Sequence, residues 1–198
     1  MKKLQIAMLI GFILSIIATD FQSFAKSYNE IQTNVLRMHI LANSDSEKDQ
    51  SVKLKVRDEI LKILSDIFSD CENEKDAEKS AKSNLKEIEN LANRVLEENG
   101  FSYKAQAEVV NMPFDERNYG NWTMPAGDYN AVRITLGEAA GQNWWCLMYP
   151  ALCVPLAEGD DALDVDSSFD DGEKDILKNP KKYKFKFKIA EIFKSWFN

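Results

Sequence analysis

The stretch Leu36–Asp58, LRMHILANSDSEKDQSVKLKVRD, decides how this chain folds. Its first part is apolar at Leu36, Met38, Ile40 and Leu41, with Val35 just ahead. It reads as a strand from about Val35 to Ala42. The run breaks at Ala42-Asn43 and passes through Ser44-Asp45-Ser46 into a charged segment of helical periodicity. Ser44 and Ser46 are each suited to cap that helix. Ser44-x-x-Glu47 has the capping-box spacing, in which a side-chain oxygen and a Glu satisfy orphan backbone N–H groups. Asp45, Glu47 and Asp49 suit the positive end of the helix dipole. The only histidine of the chain, His39, lies inside the strand.

Outward from this corner the periodicity is clear. Val52, Val56, Ile60, Ile63, Leu64 and Ile67 share one side of a helix running to about Phe68. Arg57 and Asp58 lie on its exposed side. Cys71 and charged residues make a turn. A second helix runs from about Glu74 to Glu98, and Asn99-Gly100 stops it, because glycine takes the left-handed cap without steric cost. Two long helices with a short connection pack antiparallel. Phe101 to Val110 alternates as a strand. The stretch 111–130 is rich in turn formers and reads as a loop. Two more strands follow, Ala131–Gly137 and Asn143–Tyr149, and they read as a hairpin. The order is β-α-α-β-β-β. It predicts a two-layer α+β fold, a four-stranded, mainly antiparallel sheet packed on an antiparallel helix pair.

The ends differ from this domain, which covers residues 26–156 of 198. Met1-Lys2-Lys3 precedes 15 uncharged residues, Leu4 to Ala18, and Ser23-Phe24-Ala25 has a small-x-small pattern. Residues 1–25 therefore read as a signal peptide, with an uncleaved anchor as the rival. Beyond Pro155 the charge separates sharply. Ala157 to Asp175 holds nine acidic residues and one Lys, and Lys178 to Asn198 holds seven Lys and one Glu. We read residues 157–177 as an acidic linker and 178–198 as a basic amphipathic segment. In that segment Phe185, Ile189, Ile192, Phe193 and Trp196 share a helix face between lysines, a pattern suited to a membrane surface or a docking partner. The net charge of −7 argues against a nucleic-acid partner.

No catalytic constellation stands out. A Cys or Ser nucleophile needs a base within reach, and His39 sits mid-strand, where a structural histidine is the simpler reading. A pair with Cys146 or Cys153 has no local motif behind it. Asp45, Glu47 and Asp49 alternate as calcium ligands do, but the Gly and distal Glu of an EF-hand are missing, and helix N-terminal acids explain them more simply. No metal or cofactor is expected. Trp144 and Trp145 are adjacent, so in a strand they face opposite sides. One belongs to the core and the other to the outer sheet face, near Tyr119, Trp122 or Tyr129. An exposed aromatic there marks a contact surface or lies under a second packing layer. Cys146 and Cys153 flank Pro150 and are candidates for a disulfide, which an exported protein permits.

Three features together resemble the stage II sporulation protein R family of endospore-forming bacteria. They are the opening stretch, the segment YGNWTMPAGDYNAVRITLGEAAGQNWWCLMYPALC at Tyr119–Cys153, and the order of export signal, strand, helix pair and Trp-Trp-Cys hairpin. The resemblance covers about Val35 to Pro155. It implies a signal and not an enzyme. Such proteins are made in the forespore and exported into the septal intermembrane space. There they trigger a membrane-embedded aspartic protease that processes the sigma-E precursor. No catalytic residues carry over, and the linker and tail lie outside the pattern. The expected partner contacts are Asn43, Asp45 and Asp49 at the corner and Tyr119, Trp122 and Tyr129 in the long loop. Arg57, Asp58, Trp144 and Trp145 are further candidates. The rival reading is an exported hydrolase acting on the cell wall through His39 or a carboxylate pair.

Overall fold

The computed structural model describes residues 2–150 and 168–197. In chain order the elements are α1 (Lys2–Thr33), β1 (Leu36–Leu41), α2 (Glu47–Phe68), α3 (Glu74–Glu98), β2 (Ala105–Phe114), β3 (Arg117–Tyr119), β4 (Trp122–Met124), β5 (Gly127–Leu136), β6 (Asn143–Tyr149), α4 (Asp171–Lys178) and α5 (Pro180–Phe197). The fold is of the expected α+β class, with helices packed on a four-stranded sheet.

That sheet is mixed. Its order is β2-β5-β1-β6, with β1 parallel to β5 and antiparallel to β6, and β2 antiparallel to β5. The expected hairpin between Ala131–Gly137 and Asn143–Tyr149 is therefore corrected. These strands, β5 and β6, do not pair, because β1 lies between them. Residues 137–142 arch over the end of β1 instead of turning tightly. A second correction concerns the long loop. Most of it is strand, with β2 running on to Phe114, β5 starting at Gly127, and β3 pairing with β4 as a small separate hairpin.

The sheet is buried on one face by the helix pair. Leu36, Met38 and Ile40 of β1, with Val132, Ile134, Cys146 and Met148, meet Val56, Ile60, Leu64, Ile88 and Leu96 of α2 and α3. Ser46 caps α2 by accepting from the Asp49 amide at 3.2 Å, so Ser46 and not Ser44 occupies the cap. Asn73 caps α3 in the same way. Gly100 ends α3 at φ +80°, and the Phe101 amide donates back to the Leu96 carbonyl at 3.0 Å.

A second core covers half of the other sheet face. Phe24 and Ile31 of α1, Trp122 and Met124 of β4, and Ile176 and Leu177 of α4 pack on Phe114, Tyr129, Ala131 and Leu147. The N-terminal segment is therefore not separate from the domain. α1 is one continuous helix whose second half is part of this core, while its first half projects with apolar side chains exposed. The expected acidic linker is also partly structured. Residues 157–167 lie outside the described residues, but Asp170 opens α4 through a capping box with Glu173, and Glu173, Ile176 and Leu177 are buried. In α5 the docking face is Tyr183 and Phe187, and Phe185 points outward.

Candidate functional site: a bonded corner and a half-open sheet face

The corner between β1 and α2 is held from several directions. The Asp49 carboxylate accepts from Ser44 Oγ at 2.5 Å, Tyr103 Oη at 2.5 Å and Asn43 Nδ2 at 3.0 Å. Burial alone would raise its pKa, but these donors outweigh it and hold Asp49 at about 2. Tyr103 is pushed above its ordinary range by burial and by the same carboxylate.

The corner is also stitched to the arch at 137–142. Asn43 Oδ1 accepts from the Glu138 amide at 2.9 Å, and Asp45 Oδ1 accepts from the Gln142 amide at 2.7 Å. The Ala140 and Gly141 amides donate to the carbonyls of Asn43 and Ala42. Lys53 Nζ reaches the Gln142 carbonyl at 3.0 Å. The approach is so close that a Cβ on Gly141 would sit 2.2 Å from the Ser44 carbonyl oxygen. Asp49 is thus a buried positioning group. It shapes the corner and presents no free carboxylate. The outward side chains here are Ser46, Glu47 and Lys48, beside the exposed flank of Asp45.

The outer sheet face divides in two. Arg37, in the covered half, is fully buried. Its guanidinium donates to Tyr119 Oη at 3.0 Å and lies 4.0 Å from the Phe114 ring and 5.0 Å from Tyr129. Burial lowers its pKa, while Tyr119 and Tyr129 oppose the shift. Nε and Nη1 have no hydrogen-bond partner among the described residues.

The row above is only partly covered, although His39 within it is itself 4% exposed. It runs Glu108, Arg133, His39 and Trp145 across the four strands. His39 Nε2 pairs with Asn143 Oδ1 at 2.9 Å, and its ring stacks on Trp145 at 3.8 Å between centroids. Burial lowers its pKa, the Asn143 bond works against that, and Arg133 and Arg37 reinforce it. Arg117 of β3 leans over the outer side of Trp145 at 5.4 Å. The result is an aromatic and cationic platform with exposed Arg117 and Asn143 at its rim.

The remaining expected contacts sort by burial. Trp122 and Tyr129 are buried, and Tyr129 Oη donates to the Pro125 carbonyl at 2.7 Å. Both belong to the second core, the packing-layer alternative for these aromatics. Tyr119 is half-buried on Trp122. Trp144 and Trp145 do face opposite sides. Trp144 packs toward the helix pair with Arg57 5.1 Å away, and Arg57 is itself mostly covered and paired with Asp58. Cys146 is buried and disulfide-bonded, Cys71 is free, and Cys153, the expected partner of Cys146, lies outside the described residues. Among the described residues no cluster of His, Cys, Asp or Glu is placed to hold a metal ion. Tyr103, Arg37 and Asn143 were missed from the sequence. Only Arg37 left a signal there, as a charge at a strand position that would otherwise be apolar.

An α+β domain with an apolar N-terminal helix, compatible with secretion or membrane association, is the class of protein these features define. The family model of Stage II sporulation protein R (spore_II_R) matches residues 32–158. Stage II sporulation protein R of Bacillus subtilis (strain 168) is 37% identical over 131 residues, which cover 65% of this chain and 58% of that protein. The chain therefore matches less than two thirds of that relative's length. No solved structure matches. The chain belongs to the stage II sporulation protein R family. The matched region takes in β1 to β6, so most of α1, and all of α4 and α5, fall outside it.

Proposed function

We propose that this chain is a sporulation signal exported from the forespore, with its folded domain in the septal intermembrane space. It activates the membrane-embedded aspartic protease that processes the sigma-E precursor. The observation that carries this reading is the family match across the whole sheet and helix pair. The apolar α1 supports an export or membrane route. The surroundings of His39 favour a binding role over hydrolysis. Its ring is stacked on Trp145 and its Nε2 is bonded to Asn143, with no nucleophile among these contacts.

The contact surface we favour is the open platform of Trp145, Arg117 and Asn143, with the outward side of the Asp45–Lys48 turn beside it. A half-buried Trp beside an exposed Arg on a rigid sheet is an apt anchor for a partner. Co-expression of the full chain with the protease and the sigma precursor tests this. Processing is expected with the wild-type chain. Arg117→Glu, at an exposed position, should reduce processing about tenfold, the effect of losing roughly 1.4 kcal/mol of contact, at an unchanged melting temperature. Absence of processing with the wild-type chain rejects the activator reading. Full processing by the variant moves the contact elsewhere.

A further inference from the structure

The segments outside the family match meet each other in space. Phe24 of α1 is their pivot. It is 4% exposed; its ring stacks on Tyr183 at 5.4 Å and meets Phe187 edge-on at 5.3 Å. Lys186 of α5 pairs with Asp20 of α1 at 2.5 Å. Phe24 is also the middle residue of Ser23-Phe24-Ala25, the small-x-small pattern. Proteolysis favours exposed, irregular chain. Here the pattern lies inside a helix, and its central ring is packed. Cleavage after Ala25 would strip both Asp20 and Phe24 from α5.

Upstream of this clamp, α1 has no protein cover. Leu4 is 67% exposed and Phe12 is 64% exposed, and apolar side chains point outward around the whole helix. The helix is long and apolar enough to cross a membrane. Leu4 to Ala18 rises about 22 Å, a slightly short span that Lys3 accommodates by reaching toward headgroups. Asp20 is the first charge after Lys3 and lies about 3 Å of helix rise beyond Ala18. The α5 helix therefore meets α1 where an inserted helix would leave the hydrocarbon. The outward side of α5 carries Lys181, Lys184, Phe185 and Lys188 at helical spacing, with Phe185 77% exposed. Three lysines around an exposed aromatic at that level fit an anionic headgroup surface.

We propose that α1 is retained as a bilayer anchor, and that α5, clamped to it through Phe24, forms a collar whose lysine face rests on anionic lipid. This holds whichever protein the domain signals to. The test expresses the full chain, with a C-terminal epitope, in an exporting Gram-positive host. Intact mass is read in the membrane and medium fractions. A membrane-bound species that keeps the N-terminal helix is expected. A species starting at Lys26 and released to the medium overturns retention. Phe24→Ala should allow a shortened species to appear, and its continued absence overturns the clamp as the protecting contact. For the collar, the full chain is reconstituted into vesicles of phosphatidylglycerol or phosphatidylcholine and digested with trypsin. Cutting after Lys181, Lys184 and Lys188 should be about fivefold slower on the anionic vesicles. Equal rates on both overturn the lipid contact.

Discussion

Asp49 shows how one side chain does two jobs. Its backbone N–H is capped by Ser46, and its carboxylate collects donors from β1's end, from the turn and from Tyr103, 54 positions on in sequence. The fold holds it at about 2, below the ordinary value of 3.8. The ionised form is therefore the one the fold favours. This stabilisation is complete above about pH 4 and is lost as pH falls through the folded value. Asp49→Asn is expected to lower unfolding free energy by about 2 kcal/mol at pH 7, because it removes the charge and sets an amide against the donors. It should also flatten the acid limb between about pH 4 and pH 2. Urea midpoints across pH check both. The side chain's type and place were legible as a helix N-terminal acid. Its burial was not, because Tyr103 approaches from a segment with no local relation to the corner.

At the scale of elements, the helix pair was the most readable part. The spacing of Val52, Val56, Ile60 and Leu64, and the Asn99-Gly100 stop, are local signals, and α2 and α3 end where those signals place them. Strand existence was readable too, from alternation. Strand partnership was not. Alternation tells which face is buried but not which neighbour is paired, so sequence adjacency suggested a hairpin where β1 in fact intervenes. The β3–β4 hairpin is three residues a side, too short for any periodic signal. α1 runs on to Thr33, beyond the apolar run that Asp20, Gln22 and Ser23 interrupt, because α4 and α5 supply packing for its second half. The arch at 137–142 joins these elements, and its glycines permit the approach. Gly137 has φ +56°, and a Cβ there would meet Asn43 Oδ1 at 2.2 Å. Gly141→Ala should therefore destabilise by more than about 1 kcal/mol, with amide exchange rising first at Glu138 and Gln142. Unchanged exchange at those amides would mean the arch is not held by the corner.

The whole molecule is a sheet between two unequal covers. The helix pair closes one face completely. α1, β3–β4 and α4 close half of the other and leave the row from Glu108 to Trp145 only partly covered. The second cover is built from both ends of the chain. Truncation before Ser168 is expected to expose Phe24, Phe114 and Leu147 together, to increase binding of an apolar dye, and to lower the melting temperature by several degrees, roughly 2–4 °C for each 1 kcal/mol lost in a chain of this size. A truncated chain that melts unchanged would mean α4 and α5 ride on a finished core. The order of strands has one more consequence. β1 is the first strand made, yet Leu36 pairs with Asn130 on one side and Tyr149 on the other. Neither partner exists until most of the domain has been synthesised. Such late, long-range pairing slows folding. That delay keeps the emerging polypeptide pliable until nearly all of it has been made.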